Sequence, residues 1–343
     1  MVAEKETLLG KSLSELQEIA KDNKWPKFVA KQISEWLYKK DISSIEEMSN
    51  ISKKVRSFLT DNYVIGLKKP VNVQTSVDGT KKYLYTAQGN NFIEVAYIPD
   101  RERATLCVST QVGCKMGCKF CMTGKQGFQS NLSAGDIINQ ILSLPERHKL
   151  TNIVYMGMGE PFDNYDEVMK SIEIITSEWG FAMSPRRITV STIGVMPAMM
   201  DFLENSEAHL AVSLHSAIAE DRLRIMPVQK THPLQNIINT LKTYDFSGQR
   251  RVSFEYIMFK GFNDKAEHVK ELTKLLHGLQ CRVNLIRFHK TPGFEFEGSD
   301  RKSMEWFRDE LTKNHITTTI RASRGEDIFA ACGLLSTKEK NKK

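Results

Sequence analysis

The sequence contains no run of 18 apolar residues, so we expect no membrane-spanning helix. The first residues, Met1–Glu6, include no apolar segment of the kind that directs secretion, and we expect no secretory signal. Low-complexity and collagen-like repeats are absent as well. Apolar residues make up 41% and charged residues 26% of the 343 residues, which is close to ordinary globular usage. The chain is therefore expected to bury a large core, as one large domain with an appendage or as two or three domains.

The charge balance has no acidic excess. Lysine and arginine number 48 against 41 aspartate and glutamate residues, which gives a formal net charge of +7. Such an excess is compatible with a polyanionic partner such as nucleic acid, but many basic proteins bind nothing acidic.

Cysteine is too scarce for a disulfide scaffold, with six residues in the whole chain. Three of them, Cys114, Cys118 and Cys121, fall within eight residues in the pattern C-x3-C-x2-C. No second Cys or His pair follows at the spacing of a zinc site. Three thiolates on one tight loop suit a [4Fe–4S] cluster with one iron open to an exogenous ligand. An incomplete zinc knuckle and three ordinary thiols are the alternatives.

Residues 1–68 are predicted to form a small helical accessory domain. Ser12 and Glu15 make a capping box, and apolar residues follow at helical spacing. The lysines and arginines of these helices either form a solvated face or contact RNA phosphates.

Residues 69–99 are predicted to form a β extension, because two strand patterns flank the turn signal Asp78-Gly79. Residues 100–333 alternate strands with helices, which predicts a parallel sheet of about six βα units, an open relative of the eight-fold barrel. Residues 334–343 are predicted to be a flexible basic tail.

Polar residues follow several of these predicted strands. Because ligands gather at the carboxyl ends of parallel strands, these residues are expected to meet at one cavity beside the cysteine loop. Such a cavity suits a polar ligand such as a nucleoside-sulfonium. The segments concerned are Gly157–Pro161, Ser191–Gly194, Ser213–His215 and Arg287–His289.

Four separated segments resemble the RlmN/Cfr family of radical S-adenosylmethionine (SAM) RNA methyltransferases: Thr105–Cys114, Met156–Pro161, Ser213–His215 and Arg324–Gly333. The similarity extends over nearly the whole chain, including the helical N-terminal segment. It implies an α/β fold: a partial (β/α)6 TIM-like radical SAM barrel with a helical N-terminal accessory domain and a β-hairpin extension.

The resemblance also implies roles for individual residues. Cys114, Cys118 and Cys121 would hold the [4Fe–4S] cluster, whose open iron binds SAM. Further SAM contacts would come from Gly159, Glu160, Ser191, Ser213, Leu214, His215 and His289.

Two more cysteines and one glutamate receive roles from the same resemblance. Cys332 would be methylated by one SAM, and a 5′-deoxyadenosyl radical from a second SAM would activate that methyl group. The resulting radical would add to adenine C2, with Glu94 as proton acceptor, and Cys107 would release the RNA through a transient disulfide. Elementary chemistry agrees with this scheme. C2 of adenine is not nucleophilic, so direct displacement on SAM would fail. A methyl carbon carried by the protein must be attached to a side chain such as cysteine, and a second thiol is needed to release the product. Cys281, in contrast, is expected to be an ordinary buried residue.

The resemblance implies two substrates, 23S rRNA and tRNA at adenosine 37. It also implies a partner that donates electrons, such as flavodoxin or ferredoxin. No membrane partner is expected, and the enzyme is expected to be a cytoplasmic monomer. Phosphate contacts are expected from the N-terminal helices and from Lys115, Lys119, Lys125, Arg186, Arg187, Arg250 and Arg251.

Two departures from the family pattern keep alternatives open. His289 stands where many relatives carry Asn, and Ser191–Gly194 looks more like the branch that methylates adenine C8. A C8 methyltransferase is therefore the first alternative. A non-enzymatic Fe–S protein that binds RNA or senses redox state is a second, and a radical activase for another enzyme is a third.

Overall fold

The computed structural model describes residues 5–248, 250–331 and 333–335. Cys332, the predicted methyl carrier, and residues 336–343 of the predicted tail therefore lie outside the described residues.

The N-terminal segment forms three helices, α1 (Leu13–Asp22), α2 (Phe28–Lys39) and α3 (Lys53–Asn62). The Ser12 hydroxyl accepts from the Glu15 N–H, and the Glu15 carboxylate accepts from the Ser12 N–H at 2.7 Å, so the predicted capping box is confirmed. A short parallel pair, β1 (Glu6–Thr7) and β2 (Tyr63–Val64), joins the two ends of this unit. The sequence did not predict this pair, because two-residue strands carry no readable alternation.

The predicted β extension is present. It consists of β3 (Asn72–Thr75), β4 (Lys81–Ala87) and β5 (Asn91–Asp100), and all their pairings are antiparallel. The Asp78-Gly79 turn connects β3 to β4, as expected. Strand β5 also pairs antiparallel with the next strand, β6 (Arg103–Cys107), so the extension continues the main sheet.

Strand β6 begins a run of seven parallel strands. The other six are β9 (Asn152–Tyr155), β10 (Ile188–Thr192), β11 (His209–Ser213), β12 (Val252–Met258), β13 (Cys281–Arg287) and β14 (Thr317–Ile320). Within the described ranges, the sheet has ten strands in the order β14-β13-β12-β11-β10-β9-β6-β5-β4-β3. Because β3 and β14 stay at its two edges, the sheet is an open barrel.

Helices fill the six connections between neighbouring parallel strands, which confirms the partial (β/α)6 barrel. They are α5 (Ala134–Leu142), α6 (Tyr165–Thr176), α7 (Met196–Asn205), α8 (Ala219–Ile225), α9 (Leu234–Leu241), α10 (Ala266–Leu276) and α11 (Arg301–Lys313). The first connection also contains the cysteine loop, with β7 (Gln111–Val112), α4 (Met122–Gln126) and β8 (Ser130–Asn131). No helix in the described residues is long and apolar enough to cross a membrane.

The accessory unit is fixed to the barrel through helices α5 and α6. The Asn139 side chain binds both backbone groups of Lys68, at 2.7 and 3.0 Å. Lys170 forms an ion pair with Glu15 at 2.9 Å. At Gly10, a Cβ atom would lie 2.2 Å from the backbone nitrogen of Gly135, so the two backbones touch directly.

The segment after β14 is tied to the hairpin of the extension. The Asp78 carboxylate accepts from the Gly325 N–H at 2.9 Å, across 247 residues of sequence. The Asp327 carboxylate accepts from the Ser76 hydroxyl at 2.5 Å. The hairpin therefore holds the chain just before Cys332 against the sheet.

Two residues that the sequence assigned to the flexible tail are buried. Leu334 and Leu335 are 7% and 5% exposed, and the carbonyl of Leu335 accepts from the Thr123 hydroxyl at 2.8 Å. Apolar side chains at these positions explain why the packed structure extends beyond the predicted boundary.

The Gly10–Gly135 contact predicts a difference between two glycine variants. Gly10 (φ +91°) has no room for a Cβ, whereas Gly278 (φ +78°) has no atom within 4 Å of that position. Gly278→Ala is expected to lower the free energy of unfolding by about 1 kcal/mol, because alanine is strained in this backbone conformation. Gly10→Ala is expected to cost at least about 3 kcal/mol because a clash is added. Thermal unfolding followed by circular dichroism measures both, and equal losses would contradict tight docking of the N-terminal unit.

Candidate active site

The carboxyl ends of the parallel strands and the cysteine loop enclose a cavity of about 400 Å³, within the range of small-molecule sites. Most of the site residues predicted from the sequence line it. These are Cys107, Cys114, Cys118, Cys121, Gly159, Glu160, Ser191, Ser213, His215 and His289. Leu214 and Glu94 are not among the described residues that line it. The expected convergence of strand ends is therefore observed.

The cysteine loop is folded tightly on itself. Gly113 has φ +74°, and a Cβ there would lie 1.7 Å from the carbonyl oxygen of Gly127. The backbone at Gly113 can therefore approach the backbone at Gly127 this closely only because Gly113 has no side chain. The N–H of Cys121 donates to the carbonyl of Cys118 at 3.1 Å, which makes a close turn. This fold brings three cysteine side chains to one cavity.

The thiols of this loop are poor anions without a cation. Burial raises the pKa of Cys114 to about 12 and that of Cys118 well above its ordinary value, and the neighbouring cysteines add to both shifts. A bound metal would be needed to hold them as thiolates. Among the described residues, no three His, Cys, Asp or Glu side chains converge as they would on a single metal ion. Three cysteines on one loop instead fit a cluster, whose irons are ligated separately.

An apolar cluster shields this side of the cavity. Phe120 is 6% exposed, and its ring packs edge-on against His215 with centroids 4.9 Å apart. Cys118 and Cys121 pack against the same cluster, which includes Ile225. Phe120 therefore excludes water beside the cysteines.

Glu160 links two strand-end loops. Its carboxylate accepts from the Phe162 N–H at 3.1 Å and from the Ile193 N–H at 2.9 Å. Burial raises the pKa of Glu160 to about 7, although the two hydrogen bonds act in the opposite direction and lower the pKa. A cationic ligand in the cavity would favour the charged form of Glu160.

His215 is held as a neutral imidazole. Its Nδ1 accepts from the Ile257 N–H at 3.0 Å, so the single proton lies on Nε2. Burial lowers the pKa of His215 to about 3, and the positive charge of Arg222 contributes. His215 therefore offers a hydrogen-bond donor to the cavity at any physiological pH.

His289 lines the cavity from the segment after β13. Its Nε2 is 2.9 Å from the hydroxyl of Ser323, and its Nδ1 is 3.7 Å from the Glu326 carboxylate. Burial lowers the pKa of His289, although Glu326 acts in the other direction. Leu214, in contrast, directs its fully buried side chain into the main core.

Cys107 lies in the wall of the cavity, on β6. It pairs with Ala96 across the sheet and packs against Ala330 in a small apolar cluster. Ala330, Ala331 and Gly333 also line the cavity. The described residues on both sides of position 332 therefore lie at the same cavity as Cys107.

Glu94 occupies β5, two residues before Ala96, and so lies on the same face of the sheet. Its carboxylate forms an ion pair with Lys82 at 3.0 Å, and both side chains are nearly buried. The resemblance gave Glu94 the role of proton acceptor, but the sequence did not predict this ion pair.

Sequence reasoning missed two groups of the cavity. Glu255 accepts from Asn284 at 3.0 Å and from Arg321 at 3.2 Å, and both Glu255 and Arg321 line the cavity. An acidic residue inside the apolar run Phe254–Met258 was the available signal. Arg222, completely buried behind the cavity, was missed as well, because a lone arginine in a short helix carries no pattern.

The candidate phosphate contacts separate into two groups. Lys115, Lys119 and Lys125 are exposed beside the cysteine loop. The four arginines predicted as contacts, Arg186, Arg187, Arg250 and Arg251, precede strands β10 and β12 and lie at their amino ends. At about 3.3 Å per residue, the length of β12 puts about 20 Å between its two ends. These arginines are therefore wrongly placed to hold RNA at the mouth of the cavity.

The neutral state of His215 predicts a pH effect on stability. An unfolded imidazole gains a proton near its ordinary pKa of 6.5, whereas the folded one resists protonation down to about 3. The unfolded state thus binds more protons in that window, and stability falls as the pH falls through it, by up to about 1.4 kcal/mol per unit.

His215→Asn keeps an acceptor for the Ile257 N–H and tolerates the left-handed backbone at φ +57°. It removes the titration, so its melting temperature is expected to fall less than that of the native protein between pH 7 and pH 5. Parallel profiles from thermal unfolding would mean that His215 is not held neutral.

Comparison with known proteins identifies the family. The family model described as "Radical SAM superfamily" matches residues 108–276, and that described as "Ribosomal RNA large subunit methyltransferase N-terminal domain" matches residues 7–65. A protein of Phocaeicola vulgatus named "Probable dual-specificity RNA methyltransferase RlmN" is 56% identical over 100% of this chain and 98% of its own length. One of the same name from Bacteroides thetaiotaomicron is 58% identical over 98% of both chains.

A solved structure agrees with these relatives. The crystal structure of a radical SAM methyltransferase from Sphaerobacter thermophilus matches with a TM-score of 0.90 and 36% identity, over 96% of this chain and 99% of that one. The resemblance drawn from the sequence motifs is confirmed. With its cysteine loop, its open barrel and full-length relatives of this similarity, the chain belongs to the RlmN family of radical SAM RNA methyltransferases.

Proposed function

We propose that this chain methylates C2 of adenosine in 23S rRNA and in tRNA at position 37. One observation carries the proposal: a single cavity is lined by the three loop cysteines, by Cys107 and by the residues on both sides of Cys332. Methylation of an unreactive carbon through a protein thiol needs all of these within reach of one base.

Cys114, Cys118 and Cys121 would hold a [4Fe–4S] cluster, and the cavity beside them would bind SAM. When bound, cluster and SAM supply a 5′-deoxyadenosyl radical, and two SAM molecules are consumed per turnover, one for the methyl group and one for the radical. Glu160 would bind the ammonium group of SAM, since a nearby cation stabilises the charged form of its carboxylate. The Nε2–H of His215 would donate to an acceptor.

The remaining SAM contacts would come from Ser191, Ser213, Gly159 and His289, all of which line the cavity. Leu214 would contribute through its backbone, because its side chain is committed to the core.

Cys332 would carry the methyl carbon, and Cys107 would resolve the RNA adduct. In that step a sulfur–sulfur bond forms between the two cysteines while the bond from sulfur to the methylene carbon breaks. The carbon keeps the electron pair, takes a proton and becomes the methyl group. Glu94 would accept the proton lost from C2, from a position on the same sheet face as Ala96, the partner of Cys107. The radical adduct must also give up one electron in this step, and the cluster oxidised during SAM cleavage would take it back.

RNA would approach the mouth of the cavity along Lys115, Lys119 and Lys125. The target adenine must leave its stack to enter, which favours loops and partly folded RNA. An electron donor such as flavodoxin or ferredoxin would reduce the cluster. A cluster of this kind and two thiols that must be free at the start of each turnover suit the reducing cytoplasm, where we expect the enzyme to act as a monomer.

The reaction product tests the proposal. Anaerobically reconstituted protein is incubated with SAM, reductant and rRNA or tRNA fragments, and the digested RNA is compared by mass spectrometry with C2 and C8 standards. 2-Methyladenosine is expected, with complete loss in Cys332→Ala. An 8-methyl product would assign the chain to the C8 branch. Full activity of Cys332→Ala, or SAM cleavage with no methylated base, would overturn the methyl relay.

The metal site has its own test with a matched control. Cys118→Ala is expected to abolish cluster binding, because two cysteines are too few to hold it. Cys281→Ala removes another thiol whose pKa burial raises to about 12, but one that does not line the cavity. Iron and sulfide analysis should give full occupancy in Cys281→Ala and loss in Cys118→Ala. Equal occupancy in both variants would refute the assignment.

A further inference from the structure

Arg222, in α8, is a buried guanidinium whose hydrogen bonds are all used. Its exposed fraction is 0%. Nε donates to the Leu214 carbonyl, one terminal nitrogen to Gln229 and the His232 carbonyl, and the other to the carbonyls of Ile193 and Ser213. A guanidinium has five N–H groups, so none is left for a ligand. What Arg222 can still supply to its surroundings is charge.

That charge has no carboxylate partner. All five acceptors are neutral, and no ion pair involves Arg222 among the described residues. Burying an unpaired cation costs several kcal/mol, a cost that an anion nearby would offset. Burial accordingly lowers the pKa of Arg222 to about 10, and negative charge at Cys118 would act against this shift.

The backbone places this cation behind the cysteine loop. Arg222 and Ile225 are three residues apart on α8 and so share a face of the helix. The Ile225 carbonyl accepts from the N–H of Lys119, the residue after Cys118, at 2.9 Å. Cys118 itself packs against the apolar cluster that contains Ile225 and Met226. Helix α8 is thus joined to the loop beside one specific cysteine.

We propose that Arg222 is a positioning residue whose fixed charge acts through Cys118 and raises the reduction potential of the cluster that the loop holds. The inference rests on the proposed function, which supplies the cluster. A cluster bound by three thiolates carries net negative charge and gains one more negative charge when it accepts an electron. A cation buried nearby, where the dielectric is low, stabilises the reduced form more than the oxidised form.

Three variants separate charge from structure. Arg222→Gln removes the charge, and Arg222→Lys keeps it but loses the five-donor fork. Gln229→Glu leaves Arg222 in place and puts a carboxylate at the acceptor 2.6 Å away, which neutralises the charge with little change in shape. Arg224→Gln is the matched control, since Arg224 is two residues along the same helix but exposed to solvent.

The readout is the midpoint potential of the reconstituted cluster, from a redox titration followed by electron paramagnetic resonance, without RNA. Arg222→Gln and Gln229→Glu should both shift it to more negative values, while Arg222→Lys and Arg224→Gln stay close to the native protein. An unchanged potential in Gln229→Glu, or equal shifts in Arg222→Lys and Arg222→Gln, would overturn the proposal. If Arg222→Gln does not fold, Gln229→Glu decides alone.

The same samples distinguish the two levels of the argument. Iron content of the native protein tests the cluster, so a native protein without iron would refute the proposed function itself. If the iron content is native but the midpoint potential does not change when the charge of Arg222 is removed, only the role of Arg222 is refuted.

Discussion

Burial of ionisable groups without matching counter-charges is the constraint on which the cavity depends. Glu160 is pushed towards its acid form, His215 towards its neutral base and Cys114 towards its thiol, in each case chiefly by removal from water. A cation beside the carboxylate and metal ions on the thiols would favour the charged forms, so ligand binding and the protonation states of these groups are coupled.

Hydrogen bonds to the backbone stabilise these ionisable side chains in their buried positions. Hydrogen bonds from main-chain groups at the ends of β10 and β12 hold Glu160 and His215 in single orientations. Carbonyls from the ends of β10 and β11 do the same for Arg222. The parallel sheet thus supplies both the place of the site, at its carboxyl edge, and the polar groups that keep buried side chains there.

The sequence predicted the sheet well because its strands and helices carry clear periodicities. The predicted alternation of strands and helices over residues 100–333 is present, with helices in each connection between the parallel strands. The strand-end argument also placed most of the predicted SAM-binding residues at the cavity, although many other residues that line it were not predicted. The prediction of phosphate contacts failed for Arg186 and Arg250, because basic character says nothing about which end of a strand a residue occupies.

Other features were hidden for physical reasons. The Lys82–Glu94 ion pair depends on the register of β4 and β5, and the two-residue strands β1 and β2 depend on contacts across more than 50 residues. Arg222 is recognisable only from its five acceptors, which come from three separate segments of the chain.

The bond between Asp78 and Gly325 has a consequence for the order of assembly. It joins positions 247 residues apart, so the wall that carries Ala330, Ala331 and Gly333 can close only when almost the entire chain has left the ribosome. Until then, the cysteine loop and Cys107 face an open half-barrel. The interval between synthesis of the loop and arrival of the last segment is therefore the period in which metal has the freest access to the three thiols.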